Sequence, residues 1–148
     1  MTDHSIESLR AGLLAEQDVA KRMDLVESLS EGIGTLQGNL LEELLVHVLR
    51  NDDNCIVRHE AAFILGRLFG RGGIPGKLSW EALAESAASD PSVVVRHEAT
   101  ESLGWFMQQQ TVDLLKRLSS DPNPEVSATA DLGLLRLKRE MRGEPKSA

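Results

Sequence analysis

The word Val-Arg-His-Glu-Ala occurs twice in this chain, at 57–61 and at 95–99, a shift of 38 residues. A period of this length is what a stack of helix pairs leaves in a sequence. Each unit is one supersecondary element that can bury its apolar face only against the next. The register set by the two words places Asn54 over Ser92; a further 31 residues reach Asn123, and 36 residues back from Asn54 stands Asp18. All four are residue types that cap helix N-termini, with a side-chain oxygen free to accept from first-turn N–H groups. Two residues before each stands an acid, Glu16, Asp52, Asp90 and Asp121. That regularity did not enter into the choice of register and so supports it.

Beyond each cap runs a common apolar stripe. It reads Val57, Ala61, Ile64, Leu65 and Leu68, then Val95, Ala99, Ser102, Leu103 and Phe106, then Val126, Ala130, Gly133, Leu134 and Leu137. These are i, i+4, i+7, i+8 and i+11 positions, one face of an α-helix. The first unit matches weakly, with Leu25 and Leu29 in place but Lys21 at the Val position. A first helix precedes each capped one, at about 6–15, 39–50, 79–89 and 111–119. Strand alternation is absent, and Val93-Val94-Val95 follows a cap, so it reads as a first helical turn. The expected fold is all-α, an α-solenoid of about four helix pairs (about eight helices) in a single domain over 1–142. Its repeats run over about 5–34, 39–70, 79–107 and 111–142, with a polar tail at 143–148. The loop Gly70–Lys77 reads as a flexible connection and accounts for the longest period; it lacks the first Gly and the Ser/Thr of a phosphate loop.

Hydrophobic residues make up 41% of the chain, which fits an ordinary core, and no apolar run approaches the roughly 20 residues of a membrane helix. Met1–Leu14 has acids and no long apolar centre, so it does not read as a signal peptide. A single Cys points to a reducing, cytoplasmic setting. The net charge of −7 argues against nucleic acid, whose phosphates need a basic face, and favours a basic protein or a polyamine-like substrate.

Residues adjacent in a helix lie about 100° apart around its axis. With Val57, Ala61 and Leu65 turned to the core, His59 and Glu60 emerge on the groove side, and His97 and Glu98 do so one repeat on. Equivalent helices in such a stack lie roughly 8–10 Å apart, close enough for their side chains to meet at one ion. Two imidazoles with a carboxylate are the ligand set of non-haem Fe(II) oxygenases. His59, Glu60, His97 and Glu98 are therefore candidate metal ligands, and Glu60 and Glu101 are candidate catalytic acids. The competing reading makes all four solvated groove residues copied with the repeat, although their flanks have diverged (Asn54-Cys55-Ile56 against Ser92-Val93-Val94). Glu101 is i+4 from His97, and its counterpart Phe63 would line a pocket or an interface. Cys55 and His47 read as packing residues. Trp80 reads as packing between layers, as does Trp105, which could also close a pocket. Arg22, Arg58 and Arg96 recur in register and would pair with neighbouring acids along the stack. His-Glu-Ala-Ala-Phe and His-Glu-Ala-Thr-Glu both lack the second His of a zincin.

The spacing Asp52/Val57/Arg58 and Asp90/Val95/Arg96 resembles HEAT repeats, over nearly the whole chain. The Arg-His-Glu-Ala-x-x-x-Leu-Gly words, Arg58 to Gly66 and Arg96 to Gly104, are similar to those of the deoxyhypusine hydroxylase family; phycobilin-lyase-type proteins share the general repeat more distantly. The hydroxylase resemblance implies one half of a two-half di-iron protein. It assigns His59, His97 and Glu98 as ligands, with Glu60 either orienting a ligand, gripping a substrate amine or itself a ligand. A second half with its own two words is missing here, and the terminal repeats put Met23-Asp24 and Ala128-Thr129 where the words would be. A homodimer would restore four words around a di-iron centre shared by two chains, with O2 or peroxide as its ligand. The implied activity is an O2-dependent monooxygenase acting on an amine-bearing or lysine-derived group, or oxygen binding without turnover. The alternative is a metal-free HEAT adaptor gripping a partner protein.

Overall fold

Between the two helices of each repeat the backbone needs partners for the N–H groups that open the second helix, and the same device supplies them throughout. In the computed structural model, which describes residues 3–31, 38–74 and 76–143, the acid two residues before each cap accepts the cap's own N–H. Glu16 does so for Asp18 at 3.0 Å, Asp52 for Asn54 at 2.9 Å, Asp90 for Ser92 at 2.8 Å and Asp121 for Asn123 at 2.8 Å. The caps then act in three of the four repeats: Asn54 accepts from Ile56 N–H, Asn123 from Glu125 N–H and Asp18 from Lys21 N–H. Ser92 is the exception, a cap by position whose hydroxyl makes no capping bond.

The helices so delimited are α1 (Asp3–Ala15), α2 (Val19–Glu31), α3 (Gly38–Asn51), α4 (Cys55–Leu65), α5 (Ser79–Ser89), α6 (Val93–Leu103), α7 (Gln109–Leu118) and α8 (Pro124–Met141). No strand occurs among the described residues. The expected solenoid is therefore observed, with the ends of repeat one and of the tail (32–34 and 144–148) outside the described residues. The second helices α2, α4, α6 and α8 pack in sequence as one layer, more extensively than the first helices α1, α3, α5 and α7. Between the layers sits the core. Val57, Ala61, Leu65, Val95, Ala99, Leu103, Val126, Ala130 and Leu137 have no solvent exposure, each large one stabilising by roughly 1.5–3 kcal/mol.

An ion-pair ladder runs along the turn side. Arg22 pairs with Asp52 at 3.0 Å, Arg58 with Asp90 at 2.9 Å and Arg96 with Asp121 at 3.6 Å, so each repeat's Arg grips the acid of the next. Each guanidinium also donates to a carbonyl of its own interhelical turn, Glu16 and Gln17 for Arg22, Asp52 for Arg58 and Asp90 for Arg96. The ladder ends at repeat four, where Ser127 holds the Arg position.

Two findings depart from the expected connections. Helix α4 does not stop at Leu65 but continues as a π-helical turn, Gly66–Arg71. The loop after it is also held rather than loose. The buried carboxylate of Glu42 on α3 accepts from the N–H groups of Lys77, Leu78 and Ser79 at 3.0, 3.1 and 2.9 Å, and from the Ser79 hydroxyl. One carboxylate thus serves the opening turn of α5 from the preceding repeat, a charge-assisted cap.

Small residues set how closely the second helices approach. A Cβ on Gly66 would stand 2.4 Å from Ser102 Cβ and 2.8 Å from its Cα. Ser102 uses that closeness to donate to Ala62 O at 2.9 Å. One repeat on, Gly133 lies against Gly104, 3.8 Å from its Cα to the site of a Gly133 Cβ. The groove ends of α4, α6 and α8 are drawn together in this way.

Candidate metal centre

In each second helix the core positions lie three, seven and eleven residues past the cap, so the fifth and sixth face the groove. Those are His59 and Glu60 in α4 and His97 and Glu98 in α6. Packing of α4 on α6 is offset, so that the fifth position of one repeat meets the sixth of the next. His59 Nε2 lies 3.1 Å from Glu98 Oε2. Within α6, ligand atoms of His97, Glu98 and Glu101 all lie within 4.8 Å of one another. Glu98 belongs to both contacts and is the hub of the site. By the same offset, Met23 would face Glu60 and Thr129 would face His97, so the terminal repeats leave the outer flank of each word without a His or Glu in register.

Of the residues singled out from sequence, the structure thus brings His97, Glu98 and Glu101 into one group and His59 onto Glu98. Among the described residues, no group of three or more close candidate ligands includes Glu60. Glu60 is half-buried instead, its carboxyl raised above the usual range by burial and by the charge of Glu27 on α2.

The electrostatics of the hub are unusual for a carboxylate. Glu98 is 7% exposed, and its pKa is pushed up to about 7, by burial first and then by the like charge of Glu101. Unlike charge at His97 opposes the shift, and Glu60 adds to it. Burial that penalises an uncompensated charge is relieved by binding a cation. Cis ligands on a first-row metal with bonds of about 2 Å stand about 3 Å apart. The His59–Glu98 separation of 3.1 Å meets that spacing, and ligand atoms of His97 and Glu101 lie within 4.8 Å of each other and of Glu98. The donor set, imidazole nitrogen with carboxylate oxygen, suits iron, manganese or zinc.

Beside the hub opens a cavity of about 160 Å³ lined by Phe63, Arg67, Arg71, Glu98, Glu101, Ser102 and Trp105. Arg71 stacks over Trp105 at 4.8 Å and Arg67 over Phe63 at 5.7 Å. Arg136 of α8 lies 3.8 Å over the Trp105 ring, with its Nε buried and without a hydrogen-bond partner. Burial lowers the pKa of Arg136. These arginines were not found from sequence, yet Arg67, Trp105 and Arg136 all stand thirteen residues past their caps; the Trp between two Arg hid the column. Trp80, by contrast, packs between first helices and donates from Nε1 to Thr111 Oγ1 at 2.8 Å. His47 and Cys55 lie away from the site, His47 beside Asn51 and Cys55 against the core.

Comparison with known proteins places this geometry in context. Residues 42–134 match the HEAT repeats family. The solved structure of human deoxyhypusine hydroxylase in complex with glycerol is similar to this chain at a TM-score of 0.78 and 24% identity. The match covers 98% of this chain and 48% of that one, so the chain spans about half the length of its structural relative. No curated protein sequence matches it. At that identity the likeness speaks for the fold. No helix of the described residues is long and apolar enough to cross a membrane.

Proposed function

The chain belongs to the HEAT-repeat family, and from that membership and the cluster in its groove we propose that it is a metal-binding protein of the non-haem iron type. His59, His97 and Glu98 would hold the ion, with Glu101 as a further carboxylate donor and Glu60 beside them. A homodimer with two such grooves facing would assemble a di-iron centre. Iron so held supplies O2 activation, and the activity proposed is hydroxylation of an amine-bearing or lysine-derived group. The proposal draws on the name of the structural relative, a hydroxylase, and on the carboxylates Glu98 and Glu101 brought together with His97, which attract a cation.

The chain's own residues have definite parts in this. Glu98 reaches neutral pH still able to hold a proton, and it would give up that proton to hold an ion. Glu101 stands exposed at the rim of the site. Phe63 and Trp105 wall the adjoining cavity.

What carries the reading is the 3.1 Å contact between His59 and Glu98 across two repeats, which duplication alone does not require. The test is metal analysis of protein made in iron-supplemented medium. About one iron per chain, lost in His59→Ala and His97→Ala with helical content unchanged, is expected. Folded wild-type protein without stoichiometric metal would overturn the proposal. Sizing of the iron-loaded protein should give a dimer.

A further inference from the structure

The cavity beside the hub carries two kinds of charge that do not meet. Glu98 and Glu101 come from α6, Arg67 and Arg71 from the continuation of α4, and Phe63 and Trp105 complete the lining. None of the ion pairs among the described residues joins either Arg to either Glu. In a chain whose arginines on the turn side each reach a carboxylate, that separation has a cause. Arg71 is held over the Trp105 ring and Arg67 over Phe63, which leaves the edges of both guanidiniums for another acceptor. Stacking fixes a guanidinium's plane while its fork of N–H donors stays directed outward, the geometry that receives a carboxylate in bidentate fashion.

We propose that this cavity binds a small zwitterion, its ammonium against Glu101 and the Glu98 edge, its carboxylate on Arg67 and Arg71. The volume of about 160 Å³ suits a group of amino-acid size. Glu98 and Glu101 are also the carboxylates that would hold the proposed ion, so zwitterion and metal compete for them. The site itself is built by side chains alone and needs no iron, so it is tested on metal-free protein.

The measurement is calorimetric titration of the metal-stripped 148-residue chain with 4-aminobutanoate and 6-aminohexanoate. Butylamine, hexylamine, butanoate and hexanoate serve as one-charge controls. At least one zwitterion should bind once per chain, about tenfold or more tighter than its one-charge controls. Arg67→Gln/Arg71→Gln should reduce the zwitterion to the affinity of the amine, and Glu101→Gln should reduce it to that of the carboxylate. Each variant is checked for wild-type helical content by circular dichroism. Equal affinity for zwitterion and amine, saturation by the carboxylate alone, or zwitterion binding unchanged in Arg67→Gln/Arg71→Gln would each overturn the proposal. So would no heat from either zwitterion up to about 10 mM. Because no metal is present, such a failure leaves the iron content to be decided by its own test.

Discussion

The two ends of the second helices treat charge in opposite ways. On the turn side the arginines belong to a ladder. Arg22, Arg58 and Arg96 each bind the acid of the next repeat and a carbonyl of their own turn. The acids also accept the N–H of the cap residue. On the groove side of the same helices, Glu98 and Glu101 sit together with imidazoles for company and no guanidinium closed on them. The first arrangement is what stability selects. The second raises the Glu98 pKa to about 7, a cost that a scaffold has no reason to carry and that a binding site does. The lesson is that the repeat frame and the site are separable: the terminal repeats keep most of the frame and lack the words.

Breaking the ladder should have the largest effect. Arg58 and Asp90 are both nearly buried, with side-chain exposures of 12% and 7% and two hydrogen bonds between them. Asp90→Ala leaves Arg58 unpaired and the Ser92 N–H without its acceptor, and should cost about 3–5 kcal/mol in urea unfolding. A loss below about 1 kcal/mol would make the ladder decorative and the contrast with the groove empty.

Next comes pH. The folded chain holds the Glu98 proton up to about pH 7, whereas an unperturbed Glu releases it near 4.5. Between those values the folded state binds the extra proton, so the contribution of Glu98 to stability is fully present below about 4.5 and is lost as pH rises through about 7. At about 1.4 kcal/mol per pKa unit the loss is at most on the order of 3 kcal/mol in metal-free protein. It is isolated as the difference between wild type and Glu98→Gln, whose stability curve should lack this fall. Bound metal should remove it too, since the ion takes the proton's place. A wild-type curve that parallels Glu98→Gln across this range would place Glu98 among ordinary surface acids.

The ladder and the caps could be read from sequence because they recur: an acid, a cap and an Arg at fixed spacing identify themselves by repetition at Asp52/Asn54/Arg58 and Asp90/Ser92/Arg96. Features built once were hidden. Glu42 reaches Ser79 across 37 residues, and nothing local marks a carboxylate on α3 as the cap of α5. The π-helical turn at Gly66–Arg71 follows from packing against Trp105 and Phe106, whose atoms stand 2.9 and 2.8 Å from where a Gly70 Cβ would lie. At the site, sequence located the words, and the offset of the helices decided their grouping. Because the fifth position meets the sixth of the next repeat, Glu98 gains His59 while Glu60 faces the first repeat, which has no word. Glu101, read as a catalytic acid, joins the candidate ligands for the same reason, being one turn from both His97 and Glu98.

Gly66→Ala tests whether the close approach of α4 and α6 matters to the site as well as to the fold. The added methyl would meet Ser102 Cα at 2.8 Å, so a helix must shift, at a cost of about 1–3 kcal/mol. Separation of the helices should lengthen the His59–Glu98 contact and weaken metal binding by more than the stability loss alone would give. Metal affinity unchanged in a destabilised Gly66→Ala would show that the cluster does not depend on inter-repeat spacing.

The smallest effect separates site from scaffold most directly. Glu101 is exposed, and its charge helps to raise the Glu98 pKa. Removing that charge in Glu101→Gln should let Glu98 ionise at lower pH, which carbon-detected NMR of its carboxyl can follow. Metal-free stability at neutral pH should rise by a few tenths of a kcal/mol, the usual size of an i, i+3 or i, i+4 like-charge pair on a helix, while metal affinity falls because a donor is lost. A gain in stability together with a loss in binding is the signature of a residue kept for what it holds. If Glu101→Gln instead destabilises the fold and leaves metal affinity intact, Glu101 belongs with Asp90, and the groove is a second, poorer ladder.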